Sequence, residues 1–201
     1  MLTMRRVGNA LFLGLCVLFC SGYAVPLSPD PDNIPYLQFG KKLPVEAALL
    51  ITEDTRNRIF KVRVPGVISA EAEFAFGDAL EKVSLECFAQ IFRKVTLVRT
   101  LEEAKKYKLF IEPKVADCQF RMISDVALGP QIPHSKVMIH ARVGSADAII
   151  LEVTDDPIKY QRGLFNTKNL GETTTDALVY SLARVANQIG ENAAVRKIIE
   201  R

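Results

Sequence analysis

The chain has 201 residues, 26 basic against 23 acidic side chains and 49% hydrophobic residues, enough apolar material for a single core. Arg5 and Arg6 stand in the first 24 residues without an acid, so the remainder is close to electrical balance. That balance gives no electrostatic case for nucleic acid or for an anionic membrane surface as a partner.

Met1 to Val7 is basic, Ala10 to Cys20 is an unbroken apolar run, and Gly22-Tyr-Ala24 ends it with small residues at the first and third positions. These are the three parts of a secretory signal peptide, with cleavage expected after Ala24. The run is about half the roughly 20 residues that a membrane-spanning helix needs. Two alternatives stay open: an uncleaved anchor, and lipid attachment at Cys16 or Cys20, each of which follows a large residue (Leu15 and Phe19). Removing residues 1–24 leaves Cys87 and Cys118, which in an exported protein form either one disulfide or two buried thiols.

Residues 25–42 are rich in Pro, Asp and Asn and read as an extended tether, because each proline lacks a donor and restricts its predecessor. Residues 43–201 then read as one domain. Val45 to Thr52 is short and apolar, a largely buried strand; Arg58 to Val64 alternates and suits a half-exposed partner, ended by Pro65-Gly66. Phe76, Leu80, Val83, Cys87 and Ile91 share one helical face, widened by Phe88 and Phe92. Asp78 with Glu81 resembles an acidic capping box, although Glu71 to Phe76 alternates like a strand and leaves the helix start open.

Val95–Val98 and Lys108–Glu112 read as strands around the charged turn Leu101–Lys106, and Cys118–Ile123 as a further one. A polar loop is expected from Gly129 to Ser135. Val137–Val143 and Ala148–Val153 form a hairpin across Gly144-Ser-Ala-Asp147, and Tyr160–Phe165 adds an edge strand. Thr173 to Asp176 offers helix caps ahead of Leu178, Leu182, Val185 and Ile189, the apolar face of a second helix that Gly190 loosens before Val195–Ile199. The fold class predicted is α+β: a two-layer domain with a mostly antiparallel sheet of five to six strands and two main helices packed on it.

The chemistry-bearing residues form no catalytic motif. His134 in a loop and His140 on the hairpin are spaced wrongly for shared metal ligation, and no serine elbow, phosphate loop or His-Glu-x-x-His occurs. Cys118 with His140 is a nucleophile pair on paper only. Glu53-Asp54, Glu102-Glu103 and Asp155-Asp156 lie at element ends, where solvated turns explain them. Lys105, Lys106 and Lys108 belong to one charge-balanced turn. No catalytic residue, metal or cofactor is assigned.

The leader, the Pro-rich tether, Leu43-Pro-Val-Glu-Ala-Ala-Leu-Leu-Ile51, the Gly77-Asp-Ala-Leu-Glu helix ending in Gln90-Ile-Phe92, Phe110-Ile-Glu-Pro113 and Ala177-Leu178 together carry a resemblance. The layout resembles small bacterial envelope proteins, many of them lipoproteins, that are accessory parts of transport or assembly machines. It is similar to auxiliary lipoproteins of ABC-type exporters and, more distantly, to the small α/β domain that opens Tol-system periplasmic proteins. The resemblance implies a non-enzymatic, exported, periplasmic or envelope-associated protein acting through contacts with envelope proteins, and membrane association only through the N-terminal segment. It transfers no functional residue. The competing expectation is a periplasmic small-ligand binding or hydrolytic protein with a pocket between helix and sheet.

Overall fold

The structure is a computed structural model that describes residues 23–30, 34–37, 41–64, 70–123, 132–155, 160–161 and 167–200. The greater part of the leader, with Cys16 and Cys20, lies outside the described residues. So do Pro65-Gly66 and much of the expected 129–135 loop.

The elements run β1 (Tyr23–Val25), β2 (Leu43–Leu50), α1 (Glu53–Arg56), β3 (Ile59–Val64), β4 (Ala70–Ala75), α2 (Gly77–Ile91), β5 (Phe92–Val98), α3 (Leu101–Ala104), β6 (Leu109–Ile123), β7 (Ile132–Gly144), β8 (Ile149–Thr154), β9 (Tyr160–Gln161), α4 (Thr167–Glu191) and α5 (Ala193–Glu200). The α+β class holds. The expected single, mostly antiparallel sheet does not: the strands form two mixed sheets. One is ordered β5-β2-β6-β7-β8, with β9 also on β7; the other is β1-β4-β3. β2 runs parallel to both β5 and β6, and β1 parallel to β4. Parallel neighbours need a crossover, and the chain between β2 and β5 supplies one through α2. The continuous apolar run from Ala47 to Ile51 is the sequence trace of that arrangement. Ala47, Leu49 and Ile51 enter the main core, while Ala48 and Leu50 enter a smaller cluster on the opposite face with Val98, Ala104 and Phe110.

The main core lies between one face of the larger sheet, the second sheet and the helices α2 and α4. Leu80, Val83, Cys87, Phe88 and Ile91 of α2 and Leu178, Leu182, Val185 and Ile189 of α4 are buried in it. Burying each of the large aliphatic or aromatic groups contributes about 1.5–3 kcal/mol.

The two strands expected at 108–112 and 118–123 are one. Pairing with β7 steps between Val115 and Asp117, so Ala116 is an extra residue in β6. A single insertion reverses the inward parity, from Leu109, Ile111 and Val115 to Cys118 and Phe120. The hairpin expected at 137–153 forms as β7 and β8.

Helix boundaries moved where tertiary contacts outweighed local signals. Residues 70–75 are a strand antiparallel to β3, and α2 starts at Gly77 with no side-chain cap. Asp78 and Glu81 do not form the expected box; they pair with Arg56 at 3.1 Å and Arg99 at 2.8 Å. A capping box does occur at α3, where Thr100 and Glu103 satisfy each other's backbone N–H groups. Thr173 to Thr175 lie within α4 and are not caps. Thr175 donates back to the Gly171 carbonyl at 2.8 Å, and Thr174 shares a 2.8 Å hydrogen bond with Ser135 of β7. The cap of the last helix is Asn192, whose side chain accepts from Ala194 N–H at 2.9 Å.

The described part of residues 25–42 lies along the domain. Val25 and Leu37 are buried, Lys82 donates to the Pro29 carbonyl at 2.9 Å, and Gln90 accepts from Leu37 N–H at 2.7 Å. Cleavage after Ala24 would take Tyr23 and Ala24 out of their pairing with β4.

Candidate functional site

β2 stops at Leu50, but β6 continues well past that level, because Leu49 pairs with Ile111 and β6 runs on to Ile123. The second sheet packs beside this overhang, with β3 next to β6. A cleft of about 340 Å³ opens at the junction, between the end of β2, β3, the start of α2 and the middle of β6.

Its polar rim comes from the turn after β2. Thr52 caps α1 by accepting from Thr55 N–H at 3.3 Å, and its hydroxyl donates to the Thr55 hydroxyl at 3.1 Å. Thr52 and Thr55 both line the cleft, and so does Asp54 between them in sequence. Arg58 precedes β3, and its guanidinium lies 4.6 Å from the Phe60 ring centroid while one nitrogen donates to the Val115 carbonyl at 3.4 Å. Among the described residues no carboxylate pairs with Arg58. The floor is apolar: Phe60 meets Phe76 edge-on at 5.5 Å, with Leu80 and Val115 beside them.

Lys114 closes the far wall, and its ammonium is 2.6 Å from one oxygen of Glu112. Glu112 is buried on the sheet and also accepts from Arg142, which stands directly across from it on β7. Gly77 sets the width at the base. A Cβ there would lie 2.1 Å from the Arg56 carbonyl oxygen, so only glycine lets α2 come this close to the chain that carries Arg58.

Of the sequence-derived candidates, Asp54 lines this cleft, and the cysteines, the histidines and Asp155 lie elsewhere. Cys87 on α2 and Cys118 on β6 are free thiols in the core, so the disulfide considered from the sequence is not formed. Burial pushes both thiols up to about 12. His134 is not in a loop: it is on β7 and buried. His140 faces away from the core and shares a 3.0 Å hydrogen bond with Thr154, so it stands on the opposite face of the sheet from Cys118. Of the acidic pairs, Asp155 is the exception to a solvated turn: it is buried and meets Arg184 of α4 at 2.9 Å. Among the described residues, no group of three or more His, Cys, Asp or Glu is placed to hold a metal ion. No helix among them is long and apolar enough to cross a membrane.

No family model matches the chain, and no curated protein matches it either. Solved structures do. The DUF330 protein XCC0632 of Xanthomonas campestris superimposes with a TM-score of 0.52 at 12% identity, covering 84% of this chain and 93% of that one. That likeness shows a shared fold. A Helicobacter pylori protein described as a homologue of a neuraminyllactose-binding hemagglutinin gives a TM-score of 0.45 at 15% identity, over 83% of this chain and 95% of that one. The PelC dodecamer of Paraburkholderia phytofirmans gives 0.36 at 10% identity, over 80% and 93%. Only the first likeness is close enough to argue from, and it argues for architecture alone.

From the sequence Asp54 is read as half of a solvated acidic pair and Phe76 and Leu80 as core; no cleft residue is singled out as a binding residue. The cleft residues come from positions 52–60, 76–80 and 114–115, which share no motif; their common property is position relative to the end of β2.

Proposed function

We propose that this chain is an exported, non-catalytic binding module of the bacterial cell envelope, an accessory of a transport or assembly machine. It works by holding an acidic, apolar-flanked segment of another envelope protein in the cleft between β2, β3 and β6. One observation carries the reading: Arg58 is held over Phe60 and against the Val115 carbonyl, at the mouth of an apolar-floored cleft, with no carboxylate partner among the described residues. A guanidinium fixed in this way loses little freedom on meeting a carboxylate, and its fork matches one bidentately. The Thr55 hydroxyl, which accepts from Thr52, keeps its own hydrogen as a donor at the rim, and Phe60, Phe76 and Leu80 accept the apolar flank.

The test places a photo-crosslinking amino acid at Asp54 in cells expressing the full chain at native level. The expected result is one dominant adduct with an envelope protein, lost in Arg58→Glu and retained in Lys61→Glu on the exposed side of β3. Adducts that persist unchanged in Arg58→Glu would refute the cleft as the docking site.

A second reading keeps the same cleft for a free small molecule bearing a carboxylate. The volume of about 340 Å³ favours it, being within the roughly 300–1,000 Å³ of small-ligand sites. Native mass spectrometry of protein purified from the periplasm separates the two, because a retained small ligand adds a discrete mass that Arg58→Ala removes.

A further inference from the structure

We infer that the outer face of the β6–β7 ribbon carries a second, separate site, built for a compact phosphate-type oxyanion. Past the bulge at Ala116, the ladder sets Gln119 across from Lys136 and Arg121 across from His134. Directly opposed residues are about 5 Å apart and next-but-one residues on a strand about 7 Å apart, so these four side chains crowd one patch of one sheet face. Together with Ile123 they line a recess of about 230 Å³. The lining carries two cations, Arg121 and Lys136, and no carboxylate.

The charges are available. Arg121 and Lys136 are exposed, and among the described residues neither pairs with an acid. Asp117, the acid on the same stretch of β6, accepts the Gln119 amide at 2.7 Å. His134 is 7% exposed and so forms a fixed wall. Its strand is anchored next door, where Ser135 is hydrogen-bonded to Thr174 of α4, and β9 pairs with it from the other edge. The recess is smaller than the roughly 300–1,000 Å³ of drug-sized sites, which limits the occupant to a compact group. A guanidinium fork and an ammonium projecting from adjacent strands of one sheet face, with His134 as the wall beside them, suit a compact oxyanion of the phosphate type. The chain as a whole is near charge balance, so this basic patch exists only because folding sorts the charges by face.

The site is tested by titrating ¹⁵N-labelled protein with inorganic phosphate against sodium chloride at matched ionic strength. The expected result is saturable shifts of the amides at 119–121 and 134–136, with millimolar or tighter affinity. Arg121→Ala with Lys136→Ala weakens binding at least tenfold, whereas Arg58→Ala leaves it unchanged, which separates this site from the cleft. Both substitutions of the double variant are at exposed positions, and an unchanged thermal midpoint confirms that it folds. Shifts that match those in chloride, or an affinity the double variant does not alter, would overturn the proposal. A second arm locates the source of the phosphate. Flotation with phosphatidylglycerol vesicles that the double variant abolishes places it on a lipid headgroup; phosphate binding without flotation makes it a soluble phosphate compound. Flotation that survives the double variant counts against the site.

Discussion

Gly77→Ala puts the architecture of the cleft to its most direct test. A Cβ at this position lies 2.1 Å from the Arg56 carbonyl oxygen and 2.8 Å from the Arg56 carbonyl carbon and Cα. The obstruction is backbone, so no side-chain rotation relieves it; α2 and the α1–β3 turn must separate by roughly an ångström, set against carbon contact distances of about 3.5–4 Å. Overpacking of this kind costs about 1–3 kcal/mol and occasionally more. The gain in helix propensity from glycine to alanine is at most about 1 kcal/mol and smaller at a first helical residue. The net expectation is a loss of about 1–3 kcal/mol. With a urea m-value of about 2 kcal/mol per molar, the denaturation midpoint falls by roughly 0.5–1.5 M. Amide hydrogen exchange should quicken locally around residues 56–60, because the turn bearing Arg58 is what gives way. A midpoint equal to or above that of the parent protein would refute the close approach and, with it, the reason for the cleft's width.

Gly171→Ala offers a contrast: its Cβ would meet the Pro26 carbonyl oxygen at 2.5 Å, so it should loosen the N-terminal segment and expose residues 25–30 to protease while lowering the urea midpoint less than Gly77→Ala. The thiols give a pH prediction. Their folded pKa of about 12 is above the ordinary value, so the stability they contribute is complete below about pH 8.5 and falls as pH rises towards 12, by roughly 1.4 kcal/mol per pH unit for each thiol. Urea midpoints at pH 8 and 10 should therefore diverge less in a Cys87→Ala, Cys118→Ala variant than in the parent, and a thiol reagent should label the native protein only as fast as it unfolds. Glu112→Ala leaves Lys114 and Arg142 without their shared buried acid; since both cations are partly solvated, the expected loss is about 2–3 kcal/mol by chemical denaturation, and a neutral result would mean that water already balances them. The Arg99 N–H holds the exposed Glu103 carboxyl below the usual carboxylate range. Its contribution is present above about pH 4.3 and lost as pH falls through the folded value, so Glu103→Ala should show a smaller acid-side drop in thermal midpoint than the parent.

Local pattern reached far into the fold and hardly into the site. β2, β3, the β7–β8 hairpin and the cores of α2 and α4 follow from apolar spacing that each segment carries within itself. The Ala116 bulge hid the continuity of β6, because an inserted residue reverses the parity on which strand reading depends. Asp78, Thr174 and Thr175 resembled caps, but each found a stronger partner in another element or in the preceding helical turn. Neither Arg58 nor Arg121 stands in a motif, and nothing in their flanking residues distinguishes them from other surface cations.

By itself the sequence determined the α+β class, the core-facing stripes of the two long helices and near electrical balance, all properties of composition and short-range period. Only the tertiary structure decided the parallel pairing of β2 with β5 and β6, the division into two sheets, the cleft where β2 ends and the basic face of the β6–β7 ribbon. Those depend on which distant segments become neighbours. Strand pairing joins residues dozens of positions apart, and its register decides which charges gather on one face and which are neutralised.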